Sequence, residues 1–388
     1  MTKSTYFADD KDVLDLLEMA KRKLPSSLLR LFLLQRGILA STDLDRSELQ
    51  RKIAMWTLDL EELNWLMERC ATEERAEKFT SSHVAGSFTR EQIAAAIDKV
   101  KENRSSKHNE THVPHTSGTE SVAVAITYTE LDPGKTRLRQ KRKKEGALTV
   151  HLTPNGLSVR HESNQRMDAV ARAVLDELAK QGKTVVPKQI ELTHLPSPED
   201  RTQFFLNLID AIPGFKLVDV NKVTVHRPGA KQESEDEDSE GTEDDQEEKA
   251  EEELAKSRVR GAILKGEALI TSKEFQMLRG EFYLCGLEWT AQQNGEDGVL
   301  VMFEAGFEDA KNCRGFSYRA KGVYERRKRG AASTFVSTIR SCSALENSGF
   351  VKLLEDAAMG ALAKTEEAGG SNAADLVDPD SGSETTQA

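Results

Sequence analysis

The chain has 388 residues, 38% hydrophobic and 31% charged, with four cysteines and a formal net charge of −11. No run approaches the roughly 20 consecutive apolar residues that a bilayer-crossing helix needs, so no helix is expected to span a membrane. The cysteines, Cys70, Cys285, Cys313 and Cys342, are too few and too scattered for a disulfide framework or a paired-ligand zinc site.

Residues 10–75 read as helices. Apolar residues recur at helical spacing, as Val13, Leu14 and Leu17, then Leu28, Leu31 and Phe32, then Leu49, Ile53 and Trp56. Leu58, Leu63, Leu66 and Met67 supply the face of a further helix. A short helix is predicted over about 89–102, with Ile93, Ile97 and Val100 on one side. Residues 103–120 carry no apolar period and read as a polar linker.

Over 121–227 the pattern predicts α+β structure. Val122 to Tyr128 alternates as a strand, and Thr153-Pro154-Asn155-Gly156 marks a turn between two alternating runs. Pairing Leu152 with Leu157 sets Val150 against Val159 and Leu148 against His161. That register gives one apolar face and one wet face bearing Thr149, His151, Ser158 and Arg160. A helix over 165–181 is capped by Asn164, a strand follows at 184–192, and Ser197-Pro198-Glu199-Asp200 opens another helix. A last strand covers 215–226.

Residues 233–253 hold fourteen acids and one lysine, and 365–388 hold six acids and no base. Such composition predicts disorder. With −13 and −6 set aside, the net of −11 becomes +8, so the rest of the chain is mildly basic. Beyond the acidic run, helices are expected at 254–265 and 273–280, strands at 282–290, 299–307 and 315–324, and helices at 333–345 and 348–363.

The predicted class is α+β: an N-terminal helical module followed by two small α+β modules with antiparallel strands, separated by a disordered acidic linker. The expected boundaries are 10–75 for the helical module, 76–120 for a short helix and polar linker, and 121–227 for the first α+β domain. The acidic linker takes 228–253, the second α+β domain 254–363, and the acidic tail 364–388.

Leu29-x3-Leu33-x3-Gly37-Ile38 followed by Arg46-x2-Leu49-x3-Ile53 resembles the SAP family, a helix–extended loop–helix module that commonly binds DNA. The resemblance covers about residues 27–53. The loop is longer than the family's by about two residues and carries Asp43 and Asp45, and residues 1–75 hold twelve bases against fourteen acids, a balance that disfavours a phosphate-binding face.

Two basic tracts stand out. Lys135, Arg137, Arg139, Lys141, Arg142, Lys143 and Lys144 put seven bases in ten residues between predicted strands. Lysine and arginine displace the counterions condensed on nucleic acid, so the tract can follow a phosphate backbone. A solvated loop, or one paired with the acidic run, is the plainer reading. From Arg314 to Arg329 there are seven bases and one acid, with Phe316, Tyr318 and Tyr324 interleaved. Arg319, Arg326, Arg327, Lys328 and Arg329 are its candidate phosphate contacts, and the aromatics would stack single-stranded bases. A core sheet with wet bases is the competing reading.

Enzyme signatures fail. Gly182-Lys183-Thr184 lacks the first glycine of a phosphate-binding loop, since position 177 is Glu. His108, His112 and His115 fall in the expected linker, and the register sends His151 and His161 to opposite faces. No metal, cofactor or catalytic residue is predicted. The leading expectation is a non-enzymatic, nucleic-acid-associated accessory protein that binds DNA or RNA through phosphates. The style of the chain suits a cytoplasmic bacterial DNA-processing or phage-defence assembly. A protein–protein adaptor using the helical modules and the acidic segment is the alternative, and an enzyme of unfamiliar type is a third class.

Overall fold

The computed structural model describes residues 8–20, 23–70, 77–108, 110–115, 121–182, 184–195, 197–228, 261–265, 282–295, 298–327 and 335–374. Its helices are α1 (Asp10–Met19), α2 (Ser26–Gln35), α3 (Arg46–Ala54), α4 (Leu60–Cys70), α5 (Arg90–His108), α6 (Gln165–Lys180), α7 (Pro198–Asp210) and α8 (Ala344–Ala374). Its strands begin with β1 (Phe79–Ala85), β2 (Thr111–His115), β3 (Ser121–Leu131), β4 (Lys141–Thr153), β5 (Gly156–Glu162) and β6 (Lys188–Gln189). They continue with β7 (Phe215–His226), β8 (Gly261–Lys265), β9 (Tyr283–Gln293), β10 (Leu300–Asp309), β11 (Arg314–Arg326) and β12 (Phe335–Arg340). The class is α+β, with an antiparallel sheet of these 12 strands.

The chain divides into two compact units. The first comprises Met1–Arg75, Ala94–Ser117 and Val122–Ala147. Its four N-terminal helices form because their apolar stripes close one core, in which Leu17, Leu29, Leu33, Leu49, Ile53 and Leu66 are all buried. Capping boxes start α1 (Asp9 with Asp12) and α3 (Asp45 with Glu48). Gly37, at φ +77°, turns the chain out of α2. The Arg30 guanidinium then donates to the carbonyls of Ser41, Thr42 and Leu44, fixing the extended stretch before α3.

The same unit corrects the linker expected at 103–120. Helix α5 continues to His108, and β2 pairs antiparallel with β3 from Thr111↔Thr127 to His115↔Ala123. The polar residues satisfy one another: Arg104 donates two bonds of 2.8 Å to Glu110, and the buried His112 ring contacts the same carboxylate at 3.1 Å. Strand pairing through the backbone needs no apolar period.

The second unit comprises Ala76–Ile93, Gly118–Ser121 and Leu148–Ala388. Its strands run in the order β5–β1–β11–β10–β9–β7–β8, with β12 on β11 and β6 on β1. The β4–β5 register is the expected one, with Leu152↔Leu157, Val150↔Val159 and Leu148↔His161. The expected wet face is corrected: Ser158 and Arg160 are 3% and 5% exposed, because both meet Glu355 of α8. Gly156 is required by close approach, since a Cβ there would stand 1.9 Å from the Val84 carbonyl oxygen.

Two separate α+β modules do not form. β7 pairs with β9 from Phe215↔Gln293 to His226↔Tyr283, and one core joins Phe204 and Phe205 of α7 to Phe303, Phe307 and Phe316. The unpaired backbone of β7 finds its donors and acceptors beyond the acidic run. Of the helices expected at 254–265 and 333–345, the described residues 261–265 form β8, on β7, and 335–340 form β12, on β11. The strand expected at 184–192 shrinks to β6. The helix expected at 273–280, and the disorder expected at 233–253 and in most of the tail, lie outside the described residues.

Candidate nucleic-acid interface

In the first unit the chain turns from β3 to β4 through Asp132–Gln140. The Asp132 amide donates to the Gln140 carbonyl, the Lys135 amide to the Asp132 carbonyl, and the Gly134 amide to the Asp132 carboxylate. Arg137–Arg139 forms one 3-10 turn. Leu138, the one apolar residue between 135 and 144, is half-buried against the helical core, and Arg137 lies 3.3 Å from Asp12 of α1. The basic turn is thereby held on the four-helix module.

The bases of this tract divide by strand parity. In β4, Lys141, Lys143, Glu145 and Ala147 are exposed while Arg142, Lys144 and Gly146 face inward. Lys144 pairs with Glu130 at 3.1 Å. Lys135, Lys141 and Lys143 are exposed and have no carboxylate partner among the described residues. Arg139 closes the 3-10 turn.

The second tract is arranged differently. Arg319 donates twice to Glu304 Oε2, at 2.9 and 2.7 Å, and Lys78 meets the other oxygen at 3.0 Å. Burial pushes the Glu304 carboxyl up, but these cations outweigh it and hold the group below its ordinary value. Lys321 pairs with Glu288 at 2.6 Å, and Arg314 lies 3.4 Å from Glu191. Arg326 and Arg327 are exposed at the end of β11, whereas Lys328 and Arg329 lie outside the described residues. The stacking role expected of the aromatics is overturned. β11 sits between β1 and β10, so Phe316 and Tyr318 point into the core at 3% and 0% exposure, and Tyr324 is half-buried.

In the helix–loop–helix segment that resembles the SAP family, the loop acids serve the backbone. Asp45 caps α3, and Asp43 accepts from the Ser41 hydroxyl at 3.2 Å. Arg46 donates to the carbonyls of Leu24 and Leu17.

The second unit contains a half-open cleft of about 880 Å³, lined among others by His83, His161, His194, Asp168, Arg172 and Lys188. Each histidine has its own carboxylate: His83 with Glu355 at 3.8 Å, His161 with Asp168 at 3.6 Å, and His194 with Glu366 at 3.1 Å. Burial pushes the His83 and His161 rings down and the Asp168 carboxyl up. Beneath it, Arg160 bonds to Glu355 and to His151, whose ring is lowered to about 4 by burial and by the Arg160 and Lys352 charges. His151 and His161 lie on opposite sides of the hairpin, as the register requires.

Among the described residues no group of three or more His, Cys, Asp or Glu could hold a metal ion. Burial pushes the Cys285 thiol up to about 12 and that of Cys313 to about 11, so neither is a thiolate nucleophile at neutral pH. No described helix is long and apolar enough to cross a membrane.

Sequence reasoning missed the anchoring of the basic turn, the Arg160–Glu355 pair and the cleft. Lone Leu138 inside a run of bases was the available signal for the first. The other two join strand and helix residues far apart in sequence, with no local trace. No protein-family model matches the chain, and none of the curated proteins matches it.

Proposed function

We propose that the protein is a non-enzymatic, nucleic-acid-associated protein that grips phosphates with the basic β3–β4 turn of its first unit. The observation that carries this reading is the fixation of that turn. Leu138 packs half-buried against the helical core and Arg137 meets Asp12, while Lys135, Lys141 and Lys143 stay exposed with no carboxylate partner among the described residues. A held row of cations binds a polyanion with less ordering cost than a mobile one, and counterion release supplies the driving force. The SAP-like helices lie in the same unit and are consistent with a DNA-associated role. The test is affinity for DNA and RNA at about 50 and 200 mM salt, for wild type and for a variant with residues 141–144 changed to alanine. Weaker binding and a shallower salt dependence in the variant are expected. Binding of neither nucleic acid by wild type at low salt rejects the reading and leaves the adaptor alternative.

A further inference from the structure

We infer that the nucleic acid taken by this surface is double-stranded, its phosphate backbone laid across the open face of the β2–β3–β4 sheet. This inference rests on the proposed function and names its ligand class. Alternation divides these strands into two faces. His112, Ile126 and Tyr128 are buried on one side, and Arg104 of α5 reaches Glu110 beside it. Thr111, paired with Thr127, lies on the other side together with Thr129, Lys141, Lys143 and Glu145. All six of these are exposed or half-buried.

Three properties of this face point to a duplex. Residues two apart on a strand stand about 6.7 Å apart on one side, so Lys141 and Lys143 advance by about two base-pair rises. The threonines are short and offer hydroxyl donors, which suit phosphate oxygens approaching a flat sheet. No Phe, Tyr or Trp occupies an outward position on the described residues of β2, β3 or the 141–147 part of β4. Unstacked bases of a single strand need such platforms, whereas a duplex keeps its bases stacked on one another. The aromatics of the second basic tract are likewise half-buried or in the core. Glu145 is the one acid in the outward row of β4, and it opposes a polyanion.

The experiment titrates the full chain against a labelled DNA duplex, an RNA duplex and the corresponding single strands, at about 50 and 200 mM salt. Thr129→Glu, Lys141→Ala with Lys143→Ala, and Glu145→Gln are compared with wild type, and circular dichroism and melting confirm that each folds. One or both duplexes should bind tighter than any single strand, the two duplex arms showing which nucleic acid is held. Thr129→Glu should weaken duplex binding roughly threefold and Glu145→Gln should tighten it by a similar factor, as for one exposed charge contact. The double lysine variant should flatten the salt slope by about 1.8, two duplex contacts at about 0.9 each. Single strands bound as tightly as duplexes, or duplex affinity untouched by Thr129→Glu and Glu145→Gln, would overturn the inference and leave phosphate binding by the turn intact. Wild type that binds no nucleic acid overturns both.

Discussion

The two basic tracts hold seven bases each and place them differently. Along β11, Arg319 lies opposite Glu304 of the neighbouring β10, and Lys321 reaches Glu288 of β9, one strand further, so each of these two cations is neutralised within the sheet. In the β3–β4 turn, Lys135, Lys141 and Lys143 find no such acids among the described residues. The tracts differ less in cation density along the chain than in the acids that the sheet brings beside them. What decides is whether the cross-strand neighbours carry acids, and that is a property of the sheet.

In the hairpin of the second unit even the polar face is structural, since Ser158 and Arg160 are buried against Glu355. Val150→Asp and Ser158→Asp should each prevent folding of that unit, the first by burying an unpaired charge in the apolar core, the second by setting a carboxylate against Glu355. Thr149→Asp, half-exposed and opposite Arg160, should fold. Circular dichroism of the three variants decides. Equal damage from all three would mean that the face opposite Val150 has no special role.

Glu355→Gln should cost about 3–5 kcal/mol in urea unfolding, because Arg160, 5% exposed, loses its counter-charge. Arg319→Ala should cost about 1–3 kcal/mol, since Lys78 still serves Glu304. Neither should alter nucleic-acid affinity if the charges of the second unit are internal.

Acid should destabilise the second unit through His151. His151 titrates at about 4 in the folded chain against 6.5 when unfolded. The unfolded chain therefore takes up the proton first as pH falls, and stability declines from about pH 6.5 down to about 4. His151→Gln should flatten that decline in a series of melts across this window. An unchanged profile would place the sensitivity elsewhere.

Local chemistry made part of this fold legible. The Asn164 and Ser197 caps, the four N-terminal helices and the β4–β5 register all depend on residues close in sequence. The rest is non-local. Nothing near β7 announces that its partner is β9, and Thr111–His115 shows no strand pattern until β3 lies beside it. The same limit applied to the site. The alternation of Lys141 and Lys143 could be read along the chain, but the acids that silence Arg319 and Lys321 lie 15 and 33 residues away. Buried Phe316 and Tyr318 looked like stacking aromatics because their strand's central position was not visible.

Lys141 and Lys143 of the first unit are displayed, whereas Arg319 and Lys321 of the second are consumed by Glu304 and Glu288. The measurement that tests this contrast most directly is the salt slope of duplex binding for Lys141→Ala with Lys143→Ala beside Arg319→Ala. The lysine variant should keep wild-type stability within about 0.5 kcal/mol while its slope flattens by about 1.8. Arg319→Ala should lose stability and keep the wild-type slope. A slope that changes with Arg319 and not with the lysines would mean that the second unit, not the displayed lysines, meets the phosphates.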